Sequence, residues 1–256
     1  MSAQVVKTLL SGNEAIALAA AHSGVRVASG YPGTPSTEAL ETLAGFGGED
    51  GVAHWAPNEK VALEIGLGAA FAGARALVTM KHVGLNVAAD PLFTGAYIGT
   101  RGGLVVLCAD DPGMHSSQNE QDNRYYALAA KVPMLEPADS QEAYDFTRLA
   151  FELSEKFETP VILRTTTRVN HSKSLVTPRD PDKPAKTPHF EKDFARFVMV
   201  PANARKRHAV LEQRLADLFL QSDATPINRV FGETRGAKLG VVASGVAYQY
   251  VREVAP

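Results

Sequence analysis

Six short apolar runs, separated by helical stretches, constrain the fold of this chain most strongly. The runs occupy residues 25–30, 51–55, 76–80, 103–109, 131–135 and 159–165. Several of them are apolar throughout rather than alternating, which is typical of parallel strands whose two faces are both covered by helices. Helices are predicted before, between and after these runs, at 13–22, 36–43, 58–72, 86–97, 117–130 and 140–156. The pattern predicts an α/β domain of three layers, α/β/α, with a mainly parallel six-stranded sheet.

The character of the sequence changes after Arg168. Residues 169–190 contain four prolines, many charges and few apolar residues. Proline-rich stretches of this kind interrupt regular structure. We therefore predict one α/β domain over residues 1–175 and a linker or extended excursion over residues 176–203.

The last part of the chain predicts a helix followed by the start of another unit. Residues 204–221 show the spacing of an amphipathic helix, and residues 236–256 are typical of a strand, a glycine turn and a helix. A single strand–helix unit does not bury its own faces. Residues 204–256 are therefore predicted to be a helix and the beginning of a second, truncated α/β domain, and we expect the natural polypeptide to continue.

The composition is that of an ordinary globular protein, with 45% hydrophobic and 21% charged residues. A formal net charge of -2, without basic clusters among aromatic residues, argues against nucleic acid as a partner. No apolar run approaches the roughly 18–20 residues of a membrane span, and no signal-peptide pattern is present, so a cytoplasmic protein is expected. The single cysteine, Cys108, is predicted to be a buried core residue.

Glu64 is the only charged residue between Lys60 and Arg75, in a helical run that is otherwise apolar or glycine. We predict that this helix is buried on most faces and that Glu64 is a shielded carboxylate. Burying an unpaired carboxylate costs on the order of several kcal/mol, which favours a functional role. The alternative is an ion pair between Lys60 and Glu64, worth about 0.2–0.5 kcal/mol. Glu59, next to the predicted N-cap Asn58, is interpreted as structural.

Ligands of parallel α/β proteins bind at the carboxyl ends of strands, so the loops there are candidate sites. In the first such loop, Thr34 as N-cap and Pro35 at the first helical position predict a helix start. Such a start offers free N–H groups to an anion, for instance a substrate carboxylate. A well-capped connecting turn is the equally favoured alternative.

The second loop brings Lys81, His82 and Asn86 together around Gly84, although an ordinary loop histidine is the more common finding. The fourth loop, residues 164–173, carries two arginines and three threonines. Its role is interpreted as either anion contact or interdomain packing.

The third loop, residues 109–126, is the densest polar stretch of the chain. Ser117 and Glu120 fit a capping box, so a helix start at Ser117 accounts for part of this polarity. We interpret the remainder as a loop that contacts substrate or another subunit, with a solvated loop as the alternative. The substrate-binding candidates in this loop are His115, Gln118 and Asn119.

Several of these strings resemble a known family. YPGTPSTE resembles the YPxTPS segment of 2-oxoacid:ferredoxin oxidoreductases, and Glu64 followed by Gly73 and Ala74 is similar to the pyrimidine-binding domain of thiamine-diphosphate enzymes. The strings PNEKVALEIGLGAAFAGARALVTMKHVGLNVAADPL and ADDPGMHSSQNEQDNRYYA resemble the alpha subunits of indolepyruvate ferredoxin oxidoreductases. The resemblance covers roughly residues 7–175 and extends more weakly to the end.

The resemblance implies a chemical role for the carboxylate. The matching glutamate, Glu64, would hydrogen-bond N1′ of the aminopyrimidine of thiamine diphosphate and so promote loss of the thiazolium C2 proton. Cofactor contacts are implied for the loop of His82, Gly84 and Asn86, with Thr34 and Lys81 near the substrate. The implied reaction converts an aryl 2-oxoacid such as indolepyruvate, with coenzyme A, to aryl-acetyl-CoA, carbon dioxide and reduced ferredoxin.

The sequence also departs from the family. Members that use pyruvate carry an arginine after the fourth strand, whereas Asp110 and Asp111 stand here, which favours a bulkier aryl substrate. The chain lacks the GDG and asparagine-rich pattern that holds Mg²⁺ and diphosphate, and it lacks ferredoxin-like cysteines. The resemblance therefore implies half of an active site with no metal ligands of its own.

A second subunit or further domains, in a homo- or hetero-oligomer, are expected to hold the diphosphate with Mg²⁺ and the [4Fe-4S] clusters. Two alternatives to the indolepyruvate reaction stay open at this point. One is another 2-oxoacid:ferredoxin oxidoreductase or thiamine-diphosphate decarboxylase with a different acid. The other is a non-catalytic assembly module.

Overall fold

The computed structural model describes residues 7–46, 51–182, 187–233 and 235–254. The strands in these ranges are β1 Thr8–Ser11, β2 Val27–Gly30, β3 Val52–Trp55, β4 Ala76–Lys81, β5 Leu104–Asp110, β6 Met134–Leu135, β7 Val161–Thr166 and β8 Lys173–Val176. The helices are α1 Gly12–His22, α2 Thr37–Gly45, α3 Glu59–Phe71, α4 His82–Val87, α5 Ala89–Ile98, α6 Arg124–Ala130, α7 Ser140–Phe157, α8 Thr167–His171, α9 Phe194–Phe197, α10 Pro201–Ala224 and α11 Val246–Val254.

Six of the strands form one parallel sheet in the order β3-β2-β4-β5-β7-β6, which confirms the predicted six-stranded sheet. Every residue of β4, β5 and β7 is buried, as expected for strands covered on both faces. The remaining strands, β1 and β8, form a separate antiparallel pair that the sequence analysis did not predict. These two strands are short and mostly exposed, so they carry no apolar signal.

Helices cover both faces of the sheet, which confirms the three-layer prediction. Alternate residues of the central strands pack into two apolar clusters. Val105 and Leu107 face α1, α2 and α7, whereas Leu104 and Val106 face α3, α5 and α6. Cys108 lies buried in the second cluster, as predicted. Among the described residues no helix combines the length and the hydropathy needed to cross a bilayer.

Three predicted helix boundaries are wrong. Helix α2 begins at Thr37 with Ser36 as N-cap, so Thr34 does not cap it. Helix α6 begins at Arg124 rather than at Ser117, and the helix predicted over residues 86–97 is divided into α4 and α5. The capping box fails because the Ser117 hydroxyl donates to Asp111 instead, at 2.7 Å. By contrast, Asn58 caps α3 as predicted, accepting from the Val61 amide at 3.0 Å.

Helix α10 lies against α3 and α5. Its Leu211 is 2% exposed and belongs to the core cluster of α3 and α5. The last four carbonyl groups of an α-helix have no hydrogen-bond partner within the helix. Arginines from α9 and α10 donate to carbonyl groups at the end of α5 and just beyond it. The pairs are Arg214 to Ala96 at 2.7 Å, Arg207 to Ile98 at 3.0 Å and Arg196 to Thr100 at 3.0 Å. Burial, reinforced by the neighbouring Arg207, lowers the pKa of Arg214 to about 10.

The strand predicted near the C-terminus is not formed in the described residues. Residues 237–244 have no regular structure, and α11 follows as the predicted helix. The division of the chain at residues 175 and 203 stays a prediction.

We predict opposite effects for two glycine substitutions in α3. A Cβ at Gly66 would lie 2.4 Å from Val78 Cγ2 and 3.1 Å from Leu104 Cδ1, whereas a Cβ at exposed Gly68 meets nothing within 4 Å. Gly66→Ala should lower the free energy of unfolding by about 1–3 kcal/mol through overpacking. Gly68→Ala should raise it by up to about 1 kcal/mol through helix propensity. Urea denaturation of both variants measures the difference, and equal effects would contradict the packing described here.

Candidate functional site

The loops after β2, β4 and β5 meet at the carboxyl edge of the sheet, and Lys81 joins them. A Cβ at Gly33, in the loop after β2, would lie 3.0 Å from Lys81 Cδ, so the lysine stem packs directly against that loop. The Lys81 ammonium donates to the Ser116 carbonyl, in the loop after β5, at 2.8 Å. The structure therefore brings together three of the four loops in which the sequence predicted a site.

The prediction that Glu64 is shielded is wrong. Glu64 is exposed, as are Lys60 and Gly68, which lie one turn away from it on the same stripe of α3. The helix presents only one face to the sheet, because its glycines and alanines are apolar without being large enough to require burial. The alternative pair of Lys60 with Glu64 is not formed either, since the Lys60 ammonium donates to Asp90 at 3.0 Å.

Glu59, interpreted from the sequence as structural, is the buried carboxylate of α3. It is 9% exposed and lies at the first position of the helix, at the carboxyl edge of the sheet. A Cβ at Gly84 would lie 2.7 Å from both Cγ and Oε1 of Glu59, so α4 approaches it as closely as glycine allows. Within the described residues its carboxylate has no hydrogen-bond or ion-pair partner. Glu64 lies five residues later, about 7.5 Å along the axis and on a different face.

His82 is fully buried and leaves one ring nitrogen without a partner. Its Nε2 lies 2.9 Å from the Asn119 carbonyl oxygen. A carbonyl oxygen only accepts, so Nε2 carries the hydrogen and donates. In the neutral ring Nδ1 is then an acceptor, and none of the described residues donates to it. His82 therefore ties the third loop to the start of α4 and keeps one acceptor that no described residue uses.

Asp111 organises the third loop from within. Its Oδ2 accepts from the Ser116 amide and from the Ser117 hydroxyl, each at 2.7 Å, and its Oδ1 accepts from the Thr167 hydroxyl at 2.8 Å. Burial acts to raise the pKa of Asp111, but these hydrogen bonds outweigh it and hold the pKa at about 2. The loop is further closed by Glu120, which accepts from the Gly113 amide at 2.7 Å.

Asp110 and Arg164 form a buried ion pair between β5 and β7. Arg164 Nε donates to Asp110 Oδ2 at 2.8 Å, with 6% and 1% of the two residues exposed. Arg164 also donates to Glu136, and Asn123 donates to Asp110 Oδ1 at 3.0 Å. Burial nevertheless raises the pKa of Asp110, against the opposing effect of Arg164. Burial likewise raises the pKa of the adjacent Cys108 thiol.

The other predicted site residues lie at the surface. These exposed residues are Thr34, Asn86, His115, Gln118 and Asn119. Asn86 accepts from the Tyr126 hydroxyl at 2.5 Å, and the Asn119 side chain accepts from Gln121 at 3.0 Å. Gly84 is buried against Glu59 as described.

The sequence analysis missed Glu59 and the ion-pair cluster of Arg164. The available signal was an arginine within the otherwise apolar run VILRTT, because a charge on a doubly covered strand requires a partner. Its partners lie 54 and 28 residues earlier, at Asp110 and Glu136, so sequence spacing alone does not identify them. For Glu59, the favourable interaction of an acidic residue with the helix dipole explained its position at the helix start. The sequence therefore gave no sign that Glu59 is buried.

Comparison with known proteins identifies relatives of the chain. Residues 18–226 match the family described as "Pyruvate flavodoxin/ferredoxin oxidoreductase, thiamine diP-bdg". Proteins named indolepyruvate oxidoreductase subunit IorA are 50% identical over 246 residues in Methanothermobacter thermautotrophicus and 46% identical over 253 residues in Archaeoglobus fulgidus. Each alignment covers 96% of this chain, and the chain spans only 40% of the length of either relative.

A solved structure shows the same fold. The 2-oxoglutarate:ferredoxin oxidoreductase from Magnetococcus marinus, determined with 2-oxoglutarate, coenzyme A and succinyl-CoA bound, superposes with a TM-score of 0.82 at 20% identity. The similarity covers 96% of this chain and 50% of that one. At this level of identity the likeness concerns the fold.

We predict that Asp111 makes stability depend on pH in acid. Its pKa of about 2 lies below the ordinary value of 3.8, so its contribution is complete above pH 3.8 and is lost as the pH falls through about 2. Asp111→Asn should cost about 1–3 kcal/mol near neutral pH, because donors in the loop lose their acceptor.

Urea unfolding of wild type and Asp111→Asn, measured from neutral pH down to about pH 2, should show the difference between them shrinking with acid. Asp90→Asn, which alters only the surface pair with Lys60, is the control and should change little at any pH. A wild-type advantage that stays constant down to pH 2 would contradict this assignment.

Proposed function

Because the chain belongs to the family of thiamine-diphosphate-binding domains of pyruvate flavodoxin/ferredoxin oxidoreductases, we propose that it is the N-terminal, pyrimidine-binding part of an aryl 2-oxoacid oxidoreductase. The complete enzyme would convert indolepyruvate or a related acid, with coenzyme A, to aryl-acetyl-CoA, carbon dioxide and reduced ferredoxin. The names of relatives that share 46–50% of its residues support this substrate class.

The observation that carries the proposal is the buried Glu59, whose carboxylate has no partner in the part of the chain that the structure describes. Thiamine diphosphate, when bound, supplies the electron sink that makes loss of carbon dioxide from a 2-oxoacid possible. The residues at the carboxyl edge of the sheet fit its aminopyrimidine, because no group in the described residues donates to Glu59 and the absence of a side chain at Gly84 lets Glu59 lie at this edge. A shielded carboxylate that accepts a ring N–H is what this half of the cofactor requires.

The sequence analysis assigned this role to Glu64, and the geometry supports Glu59 instead. Glu59 lies at the edge where the loops converge, whereas Glu64 lies on the outer stripe of α3. Glu59 would accept the ring N–H of the aminopyrimidine, and its low exposure would strengthen that hydrogen bond. Glu64 belongs to the face of α3 that is open to another domain or subunit.

The neighbouring residues keep the proposed site in order. His82 ties the third loop to α4 through the Asn119 carbonyl, and Gly84 gives Glu59 its room. Asn86, through its contact with Tyr126, joins α4 to α6 at the border of the site. We place the substrate against the loops that carry Thr34, His115, Gln118 and Asn119.

The remaining parts of the enzyme are proposed to lie outside this chain. In the described residues no group of three histidine, cysteine or acidic side chains is placed to hold a metal ion. We place the Mg²⁺ and diphosphate site, and the [4Fe-4S] clusters that reduce ferredoxin, in further domains or in a second subunit. The 40% coverage of the relatives leaves ample polypeptide for these functions.

We predict that Glu59→Gln and Glu64→Gln separate the two assignments. In the longest natural form of the protein, assembled with its partner, Glu59→Gln should lower kcat for aryl 2-oxoacid oxidation by at least about a hundredfold, because the amide no longer accepts and returns the proton. Glu64→Gln is the matched control from the same helix and should retain activity within about threefold.

The assay follows reduction of a viologen dye, and calorimetry measures the binding of thiamine diphosphate with Mg²⁺. A large loss in Glu64→Gln alone would favour Glu64 as the cofactor carboxylate. If the wild type assembles with its partner but neither binds the cofactor nor oxidises a 2-oxoacid, the result would favour the non-catalytic assembly module.

A further inference from the structure

Lys81 is a buried cation that the fold leaves largely uncompensated. The residue is 9% exposed, and its ammonium donates to one partner, the Ser116 carbonyl, at 2.8 Å. Within the described ranges no carboxylate lies in ion-pair distance of it. An ammonium carries three donors, so two remain for a ligand or water. Keeping a buried charge in this state is costly unless another group offsets it.

The other buried cations in the described part of the chain are all accounted for. Arg148 pairs with Asp182, and Arg164 pairs with Asp110. Arg214 donates to the end of α5, where the helix dipole is negative. Lys81 differs from these arginines because it lies at the carboxyl edge of the sheet and has neither kind of compensation.

The surroundings of Lys81 suit an anion. Its stem packs against Gly33, the residue before Thr34 in the loop after β2, which fixes the direction of the ammonium. Two of the carboxylates at this edge are already engaged, and the third, Glu59, contacts Gly84 and has no contact with Lys81 in the described residues. Asp110 is paired with Arg164, and Asp111 accepts three hydrogen bonds from its own loop and α8. An incoming carboxylate therefore meets an available ammonium rather than exposed negative charge.

The geometry points to Lys81 as the residue that binds the carboxylate of the 2-oxoacid substrate, an inference that rests on the proposed function. The two free donors of Nζ supply charge-assisted hydrogen bonds, which are shorter and stronger than neutral ones. Contact with Gly33 and Ser116 holds the ammonium between two loops, so the carboxylate is positioned as well as attracted.

Binding of a carboxylate and of its uncharged amide tests this inference directly. The probes are an unreactive 3-arylpropionate and its primary carboxamide, and the dissociation constants are measured by calorimetry on the complete enzyme. The wild type should bind the acid at least tenfold more tightly than the amide, as a charged hydrogen bond implies. Lys81→Met should reduce this ratio to about one, and Lys81→Arg should keep most of it.

Lys173→Met is the matched control, since it removes an exposed lysine that also has a single partner, Glu14. It should leave the acid-to-amide ratio unchanged. Lys81→Met is expected to fold, because Ser116 is exposed and water replaces the lost donor. Lys81→Gln serves as a second uncharged variant, and thermal unfolding of each variant verifies the fold.

The inference is overturned if Lys81→Met keeps the preference for the acid, or if it weakens acid and amide equally, as a role confined to ordering the loop requires. A wild type that does not prefer the acid overturns it as well. Failure of the proposed function is a separate result, since it appears as a wild type that oxidises no 2-oxoacid in the dye assay.

Discussion

Burial of the central strands on both faces is the constraint on which the rest of the structure depends. The residues of β4, β5 and β7 are all buried, so a charged side chain on these strands needs a protein partner or a place at the strand end. Arg164 illustrates the first outcome, with Asp110 and Glu136 as its partners. Lys81, the last residue of β4, illustrates the second. Charged groups that are available to ligands therefore lie at the carboxyl edge of the sheet, because the interior of the sheet does not accommodate a charge without a partner.

The charged residues at this edge divide into two groups with different functions. Asp110, Arg164 and Asp111 are engaged within the domain, and their contacts fix the loop after β5. Glu59 and Lys81 are buried yet available, and no contact in the described residues joins them to each other. Opposite charges that stay separate at one edge are suited to two different ligand groups, a nitrogen base and a carboxylate. This separation is the strongest structural argument for a site that binds both cofactor and substrate.

The sequence predicted the sheet well because its signal is local. Runs such as residues 103–109 are apolar throughout, and a short run of this kind is typical of a parallel strand covered on both faces. The errors came where local and distant partners compete. Ser117 fits a capping box, but Asp111 takes its hydroxyl, so α6 begins at Arg124. Glu64 stands alone among apolar residues, yet many of those residues are glycine and alanine, whose small side chains leave one face of α3 open.

The position of Glu59 also shows why sequence reasoning gave it too little weight. An acidic residue after an N-cap is stabilised by the helix dipole, so its presence needs no further cause. Only the approach of Gly84, which lies 25 residues later, shows that α4 covers this carboxylate instead of leaving it in water. The dipole then has a second consequence, because it favours a negative charge at the position that α4 shields. A shielded carboxyl group at a helix N-terminus is a strong hydrogen-bonding partner, which is the property the proposed site requires.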